Sequence, residues 1–222
     1  KKKTTFISII ILKNALVCNF VQSSLFSTTF CICKNTILHD FVPALHLISV
    51  IIINHTERDM TMKIRKTNPD ELELLMQMYA NARAFMTKNG NPSQWGNSYP
   101  AQSIIAADIA SGCSYVCEED NQVIAAFYYK GGPDNTYSRI YSGHWLNPLP
   151  YGVVHRIVST GSVKGAATFC LKWAFSQCGN LKIDTHRDNK IMQHLLEKIG
   201  FKYCGIIFTD DGTERMAYQK ED

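Results

Sequence analysis

The stretch from Arg156 to His186 reads RIVSTGSVKGAATFCLKWAFSQCGNLKIDTH, and its pattern decides the fold. The β-branched residues before Gly161 favour a strand, and so does the short apolar run near its end. Between them, six apolar residues recur at helical spacing: Ala167, Cys170, Leu171, Ala174, Phe175 and Cys178. The stretch therefore predicts a strand, a glycine-rich turn, a helix and a second strand, which is a crossover unit of an α/β domain.

A glycine-rich turn that leads from a strand into a helix can bind an anion. Free backbone N–H groups at the helix N-terminus point toward a ligand, and the helix dipole favours negative charge. Small residues at Gly165, Ala166 and Ala167 would let a pyrophosphate approach the main chain, although a tight turn that binds nothing uses the same residues. The patterns of P-loops, of dinucleotide-binding turns and of serine-hydrolase nucleophiles are absent from the sequence.

The composition changes near Met62. Residues 1–61 contain no glycine, tryptophan or tyrosine, whereas all 13 glycines lie at or beyond Gly90. Lys13 and Asn14 interrupt the apolar run that a secretory signal would need. The apolar stretch 41–53 is shorter than the roughly 20 residues of a membrane span. We therefore expect residues 1–61 to be a poorly structured extension, or upstream sequence outside the native protein.

Residues 62–222 read as one domain whose elements follow in the order strand, two helices, hairpin, strand, helix, strand, helix, hairpin. The strands are expected at 62–66, 114–118, 122–130, 152–158, 181–185, 201–209 and 213–219. This order predicts an α/β fold with a mixed, mostly antiparallel sheet of about seven strands, flanked by about four helices.

Charge and cysteine usage exclude several classes of function. Residues 62–222 carry 17 basic and 16 acidic side chains, so no basic stripe for nucleic acid is present. Their five cysteines, an odd number without a signal sequence, indicate reduced thiols and a cytoplasmic location. No Cys or His set has zinc spacing, so we expect no metal. We expect no stable membrane association, and a homodimer is compatible with the sequence.

Two motifs together resemble the GCN5-related N-acetyltransferase (GNAT) superfamily. SVKGAA, Ser162–Ala167, resembles its acyl-CoA loop, Gln/Arg-x-x-Gly-x-Gly/Ala. DNKIMQHLLEKIGFKYCGI resembles the next segment, with Asn189 opening a helix and Gly200-Phe201 entering a strand. The element order is also similar over Met62–Lys220. The resemblance implies a single GNAT-like domain that transfers acetyl from acetyl-CoA, as cosubstrate, to an amine of a small molecule or peptide by direct attack.

The resemblance also implies a set of cofactor-binding residues. Backbone groups of Ile157, Val158 and Ser159 would line the pantetheine arm, and Asn189 would contact the cofactor from the next helix. Loop amides would hold the pyrophosphate, and they belong to Ser162, Val163, Lys164, Gly165, Ala166 and Ala167.

Two positions depart from the family pattern. Ser162 stands where the loop usually begins with Gln or Arg, and Leu196 stands where many members carry the tyrosine that protonates the leaving thiolate. Tyr203 and Tyr218 are alternative proton donors. These departures keep open a catalytically degenerate CoA-binding sensor, and an unrelated nucleotide-binding module using the same loop is a third hypothesis.

The predicted general base is His155. The strand before the loop has no carboxylate, and an imidazole titrates near neutral pH; a hydrogen-bonded core histidine is the alternative. On a regular strand, His155 would share a face with Val153 and Ile157, and Arg156 would lie on the opposite face and form a salt bridge.

Two loops carry aromatic residues that could wall an acceptor pocket: Trp95, Tyr99, Tyr137, Tyr141 and Trp145. Trp95 and Tyr99 are the preferred residues for binding the acceptor, although such aromatics also pack loops onto a domain. The run from Asp184 to Asp188 contains Asp-x-His-x-Asp, for which helix capping by Asp188 is favoured over a metal site.

Overall fold

The computed structural model describes residues 62–222 throughout and, before them, only the backbone of three strands. These strands are β1 (Phe6–Ile11), β2 (Leu16–Val21) and β3 (Phe30–Ile32), and they form an antiparallel sheet in the order β1-β2-β3. They belong to a unit, Lys1–His55, that is separate from the unit Thr56–Asp222. Most of residues 1–61 lies outside the described residues, so the expectation of a poorly structured extension stays a prediction.

The second unit is an α/β domain built on one seven-stranded sheet with the order β4-β5-β6-β7-β8-β10-β9. Its strands are β4 (Lys63–Lys66), β5 (Ser114–Glu119), β6 (Gln122–Gly131), β7 (Gly152–Ser159), β8 (Asn180–Thr185), β9 (Lys202–Phe208) and β10 (Glu214–Glu221). Its α-helices are α1 (Leu72–Lys88), α2 (Gln102–Ala110), α3 (Ala166–Ser176) and α4 (Lys190–Lys198). Only β7 and β8 pair in parallel. The predicted fold class is confirmed.

The two faces of the sheet are covered differently. Helices α3 and α4 cover one face around a core that includes Cys170, Leu171, Leu181, Leu196 and Phe201. On the other face, α1 and α2 pack over β5, β6 and β7 with Leu75, Tyr79, Ile105, Val116 and Val158. The rest of that face lies under the connection 132–151, through Tyr137, Val153, Ile207 and Ala217. Among the described residues, no helix has the length and hydropathy needed to cross a membrane.

Strands β7 and β8 separate after a short parallel pairing. Their register runs from Gly152 opposite Leu181 to Val154 opposite Ile183 and then stops. Strand β7 continues to Ser159 against β6 alone. A gap therefore opens in the middle of the sheet, at the end of β7 that leads into the glycine loop.

Arg156 forms a bulge in β7. Its φ of 51° is left-handed, and the pairing skips one residue, with Tyr128 opposite His155 but Ala126 opposite Val158. Two expectations are therefore wrong. The extra residue places Arg156 on the same face as His155, whereas Ile157 packs on the opposite face against the α3 core.

The outer strand β9 is covered by part of the connection 132–151. Tyr141 and Ile206 exchange two backbone hydrogen bonds of 2.8 Å each, and the His144 N–H donates to the Cys204 carbonyl at 2.9 Å. The two backbones approach so closely that a Cβ at Gly143 would lie 2.0 Å from the Cys204 carbonyl oxygen.

Candidate active site

A cleft of about 1010 Å³ opens where β7 and β8 part. Its walls come from α1, the loop after α1, β7, β8, α4 and the turn between β9 and β10. It brings together eight of the residues that the sequence singled out: Trp95, Tyr99, His155, Ile157, Val158, Ser159, Ala167 and Asn189.

The glycine loop borders this cleft through Gly161 and Ala167. Gly165 caps α3 with a φ of 95°, a conformation that side chains rarely adopt. A Cβ added to Gly161 or Gly165 would meet nothing within 4 Å, so open space lies beside the loop. The first amides of α3 have no intrahelical acceptor and are free to bind an anion. The remaining loop residues of the predicted set are not among the cleft lining: Ser162, Val163, Lys164, Gly165 and Ala166.

One residue of the cleft wall has a buried hydroxyl without a hydrogen-bond partner. Among residues 62–222, only Thr185 Oγ1 and Asn91 Oδ1 are buried side-chain oxygen or nitrogen atoms without a hydrogen-bond partner. Thr185 ends β8, is 0% exposed and lines the cleft. Because an unpaired buried hydroxyl is costly, a group bound in the cleft is its natural partner.

Both polar side-chain atoms of Asn189 bond to the chain itself. Its Oδ1 accepts the Met192 N–H at 3.1 Å and so caps α4, and its Nδ2 donates to Gln94 Oε1 at 2.9 Å. The predicted capping by Asp188 is therefore wrong, because the next residue provides the cap. The Asp188 carboxylate instead lies 3.4 Å from His186 Nδ1.

His155 is enclosed by two carboxylates and two aromatic rings. Its Nε2 lies 3.1 Å from Asp134 Oδ2, and its Nδ1 lies 3.7 Å from Asp184 Oδ1. The Tyr128 and Tyr137 rings pack against the imidazole at centroid distances of 5.8 and 5.5 Å. Tyr137 Oη donates to Asp184 Oδ1 at 2.7 Å, which fixes that carboxylate.

The charges of this group follow from its hydrogen bonds. The bond from His155 holds the pKa of Asp134 well below its usual range, although partial burial opposes the shift. An ionised Asp134 accepts the Nε2–H, so the neutral imidazole keeps its lone pair on Nδ1. A proton taken up at Nδ1 would place the resulting charge between two carboxylates.

The bulge residue Arg156 has its own partners on the same face. Its guanidinium donates two bonds of 2.9 Å to Asp108, which confirms the predicted salt bridge, and a third of 3.3 Å to Tyr99 Oη. Tyr79 Oη donates to the Arg156 carbonyl at 2.9 Å and so holds the bulged backbone. Burial raises the pKa of Asp108, while the attraction of Arg156 opposes that shift.

The predicted acceptor-binding residues lie together. Trp95 contacts Tyr79 and Tyr99 at centroid distances of 5.6 and 6.4 Å. The same loop is tied to the other side of the cleft, because Arg215 donates to the Gln94 carbonyl at 3.0 Å. Trp95 and Tyr99 therefore wall the same cleft as His155.

Other predicted positions lie away from the cleft. Leu196 is fully buried in the core, and its neighbour Leu195 lines the cleft instead. Tyr203 and Tyr218 are absent from the lining, and burial raises the pKa of Tyr218 to about 12. Within residues 62–222, no three His, Cys, Asp or Glu side chains are grouped to hold a metal ion.

Asp134 and Tyr137 contact His155, which the sequence did not predict, although Tyr137 was one of its candidate pocket aromatics. They belong to the irregular connection 132–151, about 20 residues before His155, and no motif marks them. The only local signal is the Asp134 side chain accepting the Thr136 N–H at 2.9 Å, a common turn arrangement. Such a turn predicts local structure and not a contact with a distant histidine.

The fold is shared with solved acetyltransferase structures. A GNAT family acetyltransferase from Streptococcus agalactiae is 33% identical, with a TM-score of 0.67, and the match covers 72% of this chain and 95% of that one. A GNAT family acetyltransferase from Listeria monocytogenes is 16% identical, with a TM-score of 0.55 and coverage of 72% and 95%.

A third similar structure contains a ligand. It is a phosphinothricin acetyltransferase from Sinorhizobium meliloti in complex with acetyl-CoA, 13% identical, with a TM-score of 0.51 and coverage of 72% of this chain and 88% of that one. No protein-family model and no curated protein matches the sequence.

Proposed function

The chain belongs to the GNAT family of acetyltransferases, and on that basis we propose that it transfers acetyl from acetyl-CoA to an amine by direct attack, with His155 as the general base. The amine belongs to a small molecule or a peptide. The observation that carries the proposal is His155 held by Asp134 inside the cleft that opens beside the glycine loop.

The residues of this chain fit acetyl-CoA. The free amides at the start of α3 and the open space beside Gly161 and Gly165 suit a pyrophosphate. The gap between β7 and β8 suits the extended pantetheine arm. Thr185 Oγ1, at the end of β8, has no hydrogen-bond partner among residues 62–222. Acetyl-CoA supplies an acetyl group activated as a thioester. Ile157, Val158 and Ser159 line the proposed path of the pantetheine arm.

His155 provides the proton acceptor. An ammonium cannot attack a carbonyl carbon, so the acceptor amine must lose a proton. Asp134 fixes the Nε2–H at 3.1 Å, which orients the ring and leaves Nδ1 to receive that proton directly or through one water. Tyr137 and Asp184 hold the other side of the imidazole. Trp95 and Tyr99 would form the wall against which the acceptor binds.

No tyrosine is present at position 196 to protonate the leaving sulfur, because this position holds the buried, apolar Leu196. We assign a hydrogen bond to the sulfur to the hydroxyl of Thr185, because this hydroxyl has no partner among residues 62–222. Five free cysteines among the described residues support the proposal that the reaction takes place in a reducing cytoplasm.

The alternative is a CoA-binding sensor without turnover, favoured by the absence of a tyrosine at Leu196. Acetyl-CoA would raise the melting temperature whether the protein is an enzyme or a sensor, but only an enzyme would release free thiol when an amine is added. A thiol-release screen over amino acids, polyamines, aminoglycosides and peptides separates the two and identifies the acceptor.

His155→Ala tests the proposed base. We expect turnover to fall about 10²–10⁴-fold at neutral pH, with acetyl-CoA affinity unchanged. His194→Ala is the matched control, because His194 is exposed on α4 and outside the cleft. A loss below about tenfold for His155→Ala would mean that water or the substrate handles the proton.

A further inference from the structure

Lys182 is a lysine of the sheet whose side chain is mostly enclosed, and residues 62–222 provide no counter-charge for it. It lies on β8 and is only 4% exposed. Within the described part of the chain, its ammonium makes neither an ion pair nor a hydrogen bond; it sits 4.0 Å from the centre of the Trp145 ring and 3.7 Å from that of Tyr151. Burying an ammonium without a carboxylate is costly, whereas an aromatic ring attracts it through its face.

The two rings around Lys182 belong to the connection 132–151, and each anchors a partner of His155. Trp145 Nε1 donates to the Tyr137 carbonyl at 3.2 Å, and its ring packs on Tyr137 at 5.5 Å. Tyr151 Oη accepts the Asp134 N–H at 3.2 Å. Tyr137 in turn packs on the imidazole of His155, and Asp134 accepts its Nε2–H.

We propose that Lys182 is a positioning residue for His155, because its ammonium holds Trp145 and Tyr151, which fix Tyr137 and Asp134 against the imidazole. This inference rests on the proposed function. Lys182 is outside the cleft lining, so it acts only through the connection. An apolar side chain would fill the same space without drawing the two rings together.

The charge of Lys182 makes this role dependent on pH. Burial lowers the pKa of its ammonium to about 8. The titratable groups that face it are the Tyr151 phenol on the connection and the Cys204 thiol on β9, whose pKa burial raises. Since the lysine pKa is lowered, the cation is present below about pH 8 and is lost as the pH rises through that value.

Lys182→Met and Lys182→Arg separate the charge from the packing. Thiol release at saturating acetyl-CoA and acceptor is measured from pH 6 to 10. The wild-type kcat should decline above about pH 8, whereas Lys182→Arg keeps its cation and should show no such decline. Lys182→Met should have a kcat about tenfold lower at pH 7, with no step near pH 8 and an unchanged KM for acetyl-CoA. Lys172→Met, which removes an exposed lysine of α3, should match the wild type.

Hydrogen exchange of the Asp134 amide provides a readout that does not need turnover. This amide donates to Tyr151, so it should exchange about tenfold faster in Lys182→Met than in the wild type or in Lys182→Arg at pH 7. Thermal unfolding checks that Lys182→Met folds, and replacing a cation that has no counter-charge by an apolar side chain should not lower the melting temperature.

The outcomes are distinguishable. If the wild type releases no thiol, the proposed function fails, and the exchange of the Asp134 amide still decides the role of Lys182. If thiol is released but Lys182→Met keeps the wild-type kcat, pH profile and amide protection, the inference is overturned and the proposed function stands.

Discussion

The glycine loop and the surroundings of His155 border the same cleft but are built in opposite ways. The loop, residues 161–167, uses backbone amides and the absence of side chains, and all its parts lie within seven consecutive residues. The histidine is held by Asp134, Tyr137 and Asp184, which come from 18 to 29 positions away in the sequence. The loop is therefore specified locally, whereas the histidine depends on tertiary contacts.

This difference predicts different responses to substitution. The loop should tolerate changes that keep its backbone free, and damage there should appear as weaker acetyl-CoA binding. Changes around His155 should leave that binding intact and appear in turnover. A substitution that affects both properties equally would show that the two regions are not independent.

Asp134→Asn should produce the largest effect after the loss of His155 itself. The amide cannot hold the Nε2–H as a carboxylate does, so we expect turnover to fall about 10²-fold with acetyl-CoA affinity unchanged. Kinetics and calorimetry measure the two quantities. Asp70→Asn is the control, because Asp70 is exposed and is not among the residues that line the cleft. An equal loss of acetyl-CoA affinity would contradict the separation of the two regions.

The same variant has a predicted pH signature. His155 holds the pKa of Asp134 below its ordinary value near 4, so the ionised carboxylate stabilises the fold above about pH 4. This stabilisation is lost as the pH falls through the lower folded-state value. The difference in melting temperature between the wild type and Asp134→Asn should therefore be full at pH 6 and shrink below about pH 4. A constant difference would assign it to packing.

Gly165→Glu should have a smaller effect, on the loop alone. The carboxylate would enter the open space beside the loop and repel the pyrophosphate. Gly165→Gln is the matched control, because it has the same size and the same backbone strain. We expect the glutamate variant to bind acetyl-CoA at least about tenfold more weakly than the glutamine variant, a difference of about 1.4 kcal/mol by calorimetry. Equal affinities would place the pyrophosphate elsewhere.

Thr185→Val should have a modest effect on the donor side. Valine preserves the shape and removes the hydroxyl that has no hydrogen-bond partner among residues 62–222. If that hydroxyl bonds the cosubstrate, acetyl-CoA binding or turnover should weaken about 2- to 10-fold, since one hydrogen bond contributes about 0.5–1.5 kcal/mol. A gain in thermal stability without any kinetic change would show that the hydroxyl serves no ligand.

Removal of residues 1–61 should change neither region. Both regions lie within 62–222, and Met62 itself is buried in the core. The shortened chain should unfold cooperatively and release thiol at the wild-type rate. Loss of cooperative unfolding in calorimetry would show that the first unit stabilises the domain.

The sequence predicted what local patterns control. The glycine loop, the order of helices and strands along the chain and the helix that Asn189 opens all follow from neighbouring residues, and the structure has each of them. The sequence did not predict which side chains of β7 share a face, because a non-glycine residue with a left-handed φ leaves no sequence signature. Arg156 is held in that conformation by Tyr79, which lies 77 residues earlier.

The rings of Trp145 and Tyr151 around Lys182 also could not be predicted from local sequence. A lysine flanked by Leu181 and Ile183 reads as the outward residue of a strand, with its ammonium in water. It is buried because the connection 132–151 folds over that face of the sheet. That connection is irregular, so its path depends on the rings that it buries and not on any periodicity.

The backbone contact at Gly143 has a consequence for the behaviour of the protein in concentrated solution. Because a Cβ there would lie 2.0 Å from the Cys204 carbonyl oxygen, any other residue would lift 141–144 off the outer strand. The uncovered strand would offer unpaired N–H and C=O groups next to the exposed rings of Tyr203 and Phe208. Such an edge is a template for strand exchange between molecules, so a substitution at Gly143 would cause aggregation before it caused unfolding.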